Sequence, residues 1–358
     1  MFSVYKKEGH IEAIDLLKLF ALLLVIFGHS IIKCVADWSS GPIYNFVWLT
    51  QMPLFMFAAG FVNNKINKIN CFFDYIKSEG KIALTLLIPC LSFLLINCAI
   101  FKTSVLDAFI NFFKNPETNL WFLWVLFVIH SIFNLGILIS NKIKFKLSIF
   151  IPFAVSTLFS VIVFVLMFVF GSKFNSQVLS VKLIAYYMPF YCFGNIFNLF
   201  IKSELSNKKV SDICLKIIVV LSFVILLFEC FYFKSIYSFD DSNIKFLLIR
   251  IIGSVASIIV CVFVFGLLSK ISLFKKASQL GKYSLQSYYL HIIILKFISW
   301  SSDVVLTQWL LCIGAFFLLV ASVAVCLVVF YYIPFMNLIL FGKSKSKYKF
   351  EEKLLAKR

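Results

Sequence analysis

Apolar runs of about 20 residues recur along the whole chain, and they constrain its fold more than any other feature. A helix of about that length crosses about 30 Å of hydrocarbon. The runs from Ala21 to Phe27, Phe159 to Phe170 and Phe316 to Phe330 do not alternate in polarity, as the strands of an outer-membrane barrel would. Because 62% of the 358 residues are hydrophobic and only 14% are charged, a soluble fold is excluded. The sequence predicts an all-α fold, a polytopic transmembrane helical bundle.

Ten candidate helices follow from these apolar runs and from the polar clusters that separate them. They lie at about 14–33, 43–62, 82–101, 120–140, 148–170, 183–201, 213–233, 245–268, 284–300 and 305–330. Together they would form one transmembrane domain over residues 1–342, followed by a basic cytoplasmic tail at 343–358. An even number of crossings places both termini on one side of the membrane.

The formal net charge of +18 is explained by membrane topology, and no nucleic acid is expected as a partner. With the predicted helices, about three quarters of the 34 Lys and Arg residues fall on the side of the N-terminus. Lys and Arg concentrate in cytoplasmic loops, so both termini are predicted to be cytoplasmic. No cleavable signal peptide is evident, and the first helix is expected to act as its own signal anchor.

Few ionisable side chains fall within the predicted helices, and each is a functional candidate because charge is costly at membrane depth. They are His29, His130, His291, Glu229 and Arg250. Glu229 and Arg250 lie at matching depths, which fits either a structural ion pair or the lining of an acceptor pocket. His130 is expected to be structural. The ten cysteines have neither metal-ligand nor disulfide spacing, so no metal is expected.

The first helix carries the clearest pattern, formed by Asp15, Lys18 and His29. Eleven residues separate Lys18 from His29, which is about three turns and about 16.5 Å on one face of a helix. Such a face would suit an acyl-CoA, whose phosphates need a cation and whose pantetheine arm has a similar length. His29 could then take a proton from an acceptor hydroxyl. The alternative is that Lys18 only reaches the membrane interface and His29 hydrogen-bonds locally.

The segment from Ile14 to His29 resembles the opening of the membrane-bound acyltransferase family 3, whose members carry Arg or Lys, ten residues and then His in the first helix. Further stretches resemble family motifs in the same order. They are Met52-Pro-Leu-Phe-Met-Phe-Ala-Ala-Gly60, Leu120-Trp-Phe-Leu123 and Leu280-Gly-Lys-Tyr-Ser-Leu-Gln-Ser-Tyr-Tyr-Leu-His291. The family includes bacterial O-acetyltransferases of surface polysaccharides, among them proteins similar to fucose 4-O-acetylase.

The resemblance implies an O-acyltransferase of the bacterial cytoplasmic membrane that passes acetyl from acetyl-CoA to a hydroxyl of a cell-surface glycan or its lipid-linked precursor. It implies coenzyme contacts by Lys18, His291 and Lys282, with His29 as general base and Asp15 orienting Lys18. His291 could equally serve in packing. Contacts to the acceptor are expected from Gln51, Glu229, Arg250 and Trp121. Direct transfer and transfer through an acyl-histidine both stay open.

This chain departs from the family pattern at two positions. Gln51 stands where relatives close to fucose O-acetylase often have His, and Ala59 where they have Ser. Roles that depend on that histidine or on the serine hydroxyl do not carry over, although Gln51 could still donate a hydrogen bond to the acceptor. Aromatic residues near the predicted interfaces are expected to form belts at the membrane surface, namely Trp121, Tyr44, Tyr186 and Tyr187.

Two other functions were weighed against the enzyme. A transporter or flippase for a glycan or lipid-linked intermediate would explain paired intramembrane charges, although carriers often show internal repeats and this chain shows none. A catalytically inactive scaffold is disfavoured because both Lys18 and His29 are present. The expected partners are acetyl-CoA, a carbohydrate or glycolipid acceptor and the lipid bilayer, with a homo-oligomer left open.

Overall fold

The computed structural model describes residues 5, 11–63, 69–116, 120–143, 150–170, 177–202, 212–238, 243–298, 300 and 302–332. Over these residues the chain is helical, with no strand, which confirms the all-α fold class. The helices are α1 (Glu12–Cys34), α2 (Pro42–Val62), α3 (Phe72–Phe101), α4 (Val105–Lys114), α5 (Trp121–Lys142), α6 (Ile151–Phe170), α7 (Val181–Lys202), α8 (Asp212–Tyr232), α9 (Ile244–Leu268), α10 (Ser272–Gly281), α11 (Ser284–Leu295) and α12 (Val305–Tyr332). A 3₁₀ turn at Val178–Ser180 precedes α7.

Among the described residues, nine helices are long and apolar enough to cross a membrane. The tenth predicted crossing, at 284–300, corresponds to α11, which ends at Leu295 and has 12 residues. At about 18 Å it is shorter than the hydrocarbon core. Its buried side chains include Gln286, Ser287 and His291, so α11 is suited to a protein interior rather than to lipid. The location of the termini stays a prediction, and the basic tail at 343–358 lies outside the described residues.

Three differences from the predicted helices concern amphipathic segments. α3 begins at Phe72, ahead of the predicted start near 82, and α4 and α10 are short helices that were not predicted. Each mixes charged and apolar residues on different faces, so a search for continuous apolar runs passes over it. Ser104 begins α4 as its N-cap, with its side chain accepting from Asp107 N.

The helices form two compact units. The first unit comprises Met1–Asn64, Ser156–Phe174 and Ala185–Val323, and the second comprises Lys65–Val155, Asn175–Ile184 and Ala324–Arg358. In the first unit, α1 packs against α2, α9, α10 and α11, while α8 packs against α9 and α2. In the second unit, α3 packs against α4 and α5. The first unit is therefore built around α1, the helix with the clearest pattern of candidate residues.

Candidate active site

One face of α1 carries three of the candidate residues. The helix runs from Glu12 to Cys34, so Lys18 and His29 lie about three turns, or about 16.5 Å, apart on the same face. Lys18 Nζ lies 3.2 Å from Asp15 Oδ1, one turn earlier. The Asp15 side chain is buried, whereas that of Lys18 is 24% exposed. The carboxylate therefore holds an accessible ammonium group near the N-terminal end of α1.

The corner between α10 and α11 packs against the same end of α1. Gly281 lies directly against the backbone of Asp15, where a Cβ atom would overlap with the Asp15 carbonyl oxygen. Only glycine allows so close an approach of the two backbones. The corner brings Lys282, which is exposed, to the end of α1 that carries Lys18.

A third lysine joins this end of the unit. Lys275 of α10 lies 3.9 Å from Glu12 at the start of α1, measured from Nζ to Oε1. We call Lys18, Lys275 and Lys282 the basic end. Lys275 is not among the residues that the sequence predicts for the site, because the helix that positions it is one of those that were not predicted.

The imidazole of His29 lies beside that of His291 in α11, with ring centroids 5.4 Å apart. His291 is fully buried, and its Nδ1 lies 3.1 Å from the carbonyl oxygen of Ser287. A carbonyl oxygen only accepts, so Nδ1 carries the proton and Nε2 of the neutral ring presents a lone pair. That Nε2 is buried without a hydrogen-bond partner among the described residues. The residue His29 is intermediate in exposure, whereas His291 beside it is fully buried.

This geometry places His291 at the level of His29, about three turns of α1 away from Lys18. A contact between His291 and the coenzyme could therefore involve only the part that reaches His29, and not the phosphates near Lys18. The coenzyme contact itself stays a prediction, as does that of Lys282.

Gln51 of α2 lies beside the residue that precedes His29. A Cβ atom on Gly28 would come within 3.2 Å of Gln51 Oε1 and 2.9 Å of Val47 Cγ1. Gly28 thus lets α2 approach α1 closely at the level of His29. The structure places Gln51 at the level of His29, and its contact with an acceptor stays a prediction.

Glu229 and Arg250 show no ion pair with each other among the described residues. The Arg250 guanidinium lies 4.7 Å from the ring centroid of Tyr186 and 5.8 Å from that of Trp48. The negative face of an aromatic ring stabilises such a cation. Glu229 Oε2 instead lies against Gly253 of α9 and has no hydrogen-bond partner in the described part of the chain. The two charges were expected either to form an ion pair or to line an acceptor pocket. We therefore keep the lining of an acceptor pocket as the proposal.

The predicted aromatic belt is wrong for three of its members. Tyr44, Tyr186 and Tyr187 are 3%, 5% and 3% exposed, so they lie inside the first unit rather than at a lipid-facing surface. Each was assigned to a belt because its distance along the sequence from a helix end does not indicate which face of the helix it occupies.

Trp121 and His130 belong to the second unit. Trp121 is partly exposed at the start of α5, and its predicted contact to the acceptor is untested. His130 lies in a hydrogen-bonded network around Glu79 of α3. Asn134 Nδ2 donates to Glu79 Oε1 at 2.6 Å and lies 2.7 Å from His130 Nδ1, while Ser131 Oγ donates to Glu79 Oε2 at 2.7 Å. The sequence analysis did not find Glu79 because α3 begins earlier than predicted.

No cluster of three His, Cys, Asp or Glu side chains suited to a metal ion occurs in the part of the chain that the structure describes. The ten cysteines are free, and most of them are buried among apolar side chains. The described residues therefore offer no ligand set from which a metal centre could be argued.

A comparison with protein families gives one match, and it spans both units. The family model described as an acyltransferase domain, of the acyltransferase 3 type, matches residues 11–331. No curated protein and no solved structure matches the chain. The matched region contains the face of α1, the basic end and the histidine pair.

Proposed function

Because the chain belongs to the acyltransferase 3 family of membrane acyltransferases, we propose that it moves an acetyl group from acetyl-CoA to a hydroxyl of a cell-surface glycan or its lipid-linked precursor. The observation that carries this proposal is the face of α1. It presents a lysine at one end and a histidine-backed imidazole about 16.5 Å further along.

The basic end is the proposed donor site. Coenzyme A carries its negative charge on phosphates, and the ammonium groups of Lys18, Lys275 and Lys282 supply positive charge at one end of the unit. Asp15 fixes Lys18 through an ion pair of 3.2 Å, which limits the conformations of its long side chain. A thioester anchored by its phosphates at this end would extend along α1 toward His29.

His29 is the proposed general base. Its imidazole would remove the proton from the acceptor hydroxyl as the new carbon–oxygen bond forms. The carbon–sulfur bond of the thioester then breaks, and the imidazolium returns the proton to the departing thiolate, so the transfer is balanced without a further reactant. In the alternative path, His29 attacks the thioester carbonyl, the carbon–sulfur bond breaks and coenzyme A leaves as its thiol, and the acyl-histidine then passes the acetyl group to the acceptor hydroxyl.

His291 is proposed to orient His29. Its Nδ1–H is held by the Ser287 carbonyl, which leaves the Nε2 lone pair in a buried site next to His29. An N–H of His29 donated to this lone pair would leave the other His29 nitrogen free to act as the base. A neutral imidazole would thus provide the orientation that a carboxylate provides in a catalytic triad.

The acceptor is proposed to approach from the end of the first unit opposite the basic end. Gln51 lies at the level of His29 on that path, and Arg250 and Glu229 lie further along it. We further propose that the protein resides in the bacterial cytoplasmic membrane with both termini in the cytoplasm. The basic end would then face the cytosolic pool of acetyl-CoA.

A glycan acetylation assay tests this function. A strain that lacks the gene should lose an O-acetyl group from its envelope glycan, detectable by mass spectrometry, and the parent gene should restore it. His29→Ala should not restore it, although the variant protein is present in the membrane at the parent level. Restoration by His29→Ala would overturn the catalytic assignment. An unchanged acetylation pattern together with a glycan missing from the cell surface would favour the flippase.

A further inference from the structure

Two loops meet at the end of the first unit opposite the basic end. Gly41 N donates to Lys234 O at 3.0 Å, which joins the loop after α1 to the loop after α8. The fully buried Asn45 of α2 also holds the loop after α8, because its Nδ2 donates to Phe233 O at 2.8 Å and its Oδ1 accepts from Ile236 N at 2.9 Å. The two loops therefore form a surface that is already assembled.

A polar cavity of about 490 Å³ lies between these loops. Its size falls within the range of about 300–1,000 Å³ that is typical of small-molecule sites. In a chain that is 62% hydrophobic, its six lining residues are all polar or charged. The lining residues are Asp37, Ser39, Ser40, Lys234, Ser235 and Ser238.

Four aromatic rings of the two loops and of α2 pack against one another, and we call Trp38, Tyr44, Trp48 and Tyr237 the ring cluster. The centroid of Tyr237 lies 4.9 Å from that of Trp38 and 4.8 Å from that of Trp48, and Trp38 lies 5.2 Å from Tyr44. Trp38 and Tyr237 are chain neighbours of residues that line the cavity. Polar groups and apolar rings thus share the same two loops.

The ring cluster differs from an aromatic belt at a membrane interface. Belt residues turn their rings outward to the lipid headgroups. Here Tyr44 is 3% exposed and the rings meet mostly edge to face, while Tyr237 keeps 42% of its surface open. In this cluster Tyr237 is exposed, and its contacts with the rings of Trp38 and Trp48 fix its position.

One face of α2 connects the ring cluster with the histidine pair. Tyr44, Trp48 and Gln51 occupy positions i, i+4 and i+7, which fall on one side of a helix over about 10.5 Å. Gln51 packs against Gly28, next to His29, and Arg250 covers the ring of Trp48. The face leads from the cavity to the level of the proposed base.

We propose that the cavity and the ring cluster bind a neutral hexose unit of the acceptor glycan, next to the unit that is acetylated. This inference rests on the proposed function. Serine hydroxyls and Asp37 would hydrogen-bond the sugar hydroxyls, and the apolar C–H face of the pyranose would lie on the open ring of Tyr237 and on Trp38. The path of about 10.5 Å along α2 is longer than one pyranose ring, so the reacting hydroxyl belongs to a neighbouring unit.

The charges of the cavity select a neutral sugar. Asp37 contributes a negative group and Lys234 a positive group to the same lining. A neutral polyol can accept from the lysine and donate to the aspartate at the same time, whereas a charged sugar is attracted by one of these groups and repelled by the other.

The test uses the full chain in phospholipid nanodiscs, because detergents with glucose or maltose headgroups would themselves present hexoses. Methyl hexopyranosides (glucoside, galactoside and mannoside) and a methyl hexuronide serve as probes, and binding is followed by tryptophan fluorescence and calorimetry. At least one neutral hexoside should bind, and the hexuronide should bind more weakly. Trp38→Ala and Tyr237→Ala should each weaken hexoside binding about three- to tenfold. Trp38→Phe should retain most of the binding, which separates the loss of the ring from misfolding.

Phe228→Ala is the matched control, because Phe228 is an exposed ring that stacks on Tyr232 outside the ring cluster. It should leave hexoside binding unchanged. One result would overturn this inference and leave the proposed function intact. In that result the parent protein transfers acetyl groups but binds no hexoside, and Trp38→Ala does not change the KM for the acceptor. Hexoside binding that depends on Trp38, in a protein that transfers no acetyl group, would support the site and overturn the proposed enzyme.

Discussion

Replacing His291 by phenylalanine tests the histidine pair. Phenylalanine fills the buried volume but removes the Nε2 lone pair that faces no other partner among the described residues. A neutral hydrogen bond contributes about 0.5–1.5 kcal/mol, and a factor of ten corresponds to about 1.4 kcal/mol. Loss of the orienting contact should therefore lower kcat about two- to tenfold. Loss of a general base, as in His29→Ala, should lower it about 10²- to 10⁴-fold.

The assay measures kcat and the KM for acetyl-CoA with purified protein, together with the Kd for coenzyme A. His291→Phe should change kcat and leave the Kd for coenzyme A within about twofold. His291→Gln should restore most of the rate, because its amide oxygen can accept the same hydrogen bond. A weaker affinity for coenzyme A with an unchanged kcat would refute the orienting role and return His291 to the coenzyme contact that the sequence predicts.

Four further outcomes follow from the structure. Gly281→Val should lower the free energy of unfolding, measured by thermal denaturation, by about 1–3 kcal/mol, because the new side chain overlaps with the Asp15 carbonyl. Gly80→Val is the control and should change this free energy little, because a Cβ atom on Gly80 meets open space. Glu229→Gln should leave the Tm unchanged or higher, because Glu229 has no ion pair among the described residues. Arg250→Met should lower stability by about 1–2 kcal/mol, because it removes the contacts with the rings of Tyr186 and Trp48. A green fluorescent protein at the C-terminus should fluoresce in the cytoplasm, and a dark fusion would place that terminus outside.

The apolar runs and the charged clusters between them were sufficient to predict the long helices of the fold. A long apolar run has few alternatives to a membrane helix, and a fixed helical rise places Lys18 and His29 on one face without any tertiary information. The same reasoning failed for α11, since its apolar run does not reveal that the helix stops at Leu295. It also missed α4 and α10, whose polar faces interrupt the hydropathy pattern.

Contacts between helices could not be predicted from spacing. The pairing of His29 with His291 requires α11 to pack against α1, and the approach of Lys282 requires the contact between Gly281 and Asp15. Arg250 illustrates the same limit. Its matching depth with Glu229 was compatible with an ion pair or with the lining of an acceptor pocket. The contacts of its guanidinium with the rings of Tyr186 and Trp48, which belong to other helices, could not be read from that depth.

Substitutions at the two ends of the α1 face should affect different steps, coenzyme binding at Lys18 and acetyl transfer at His29. One experiment with purified protein measures both steps. Thermal stabilisation by coenzyme A and transfer of labelled acetyl from acetyl-CoA are recorded for Lys18→Glu, His29→Ala and the control Lys33→Glu, which reverses an exposed charge at the far end of the same helix. We expect that Lys18→Glu loses the stabilisation, that His29→Ala keeps it but transfers acetyl about 10²- to 10⁴-fold more slowly, and that Lys33→Glu retains it. Full transfer by His29→Ala, or undiminished stabilisation in Lys18→Glu, would contradict this expectation.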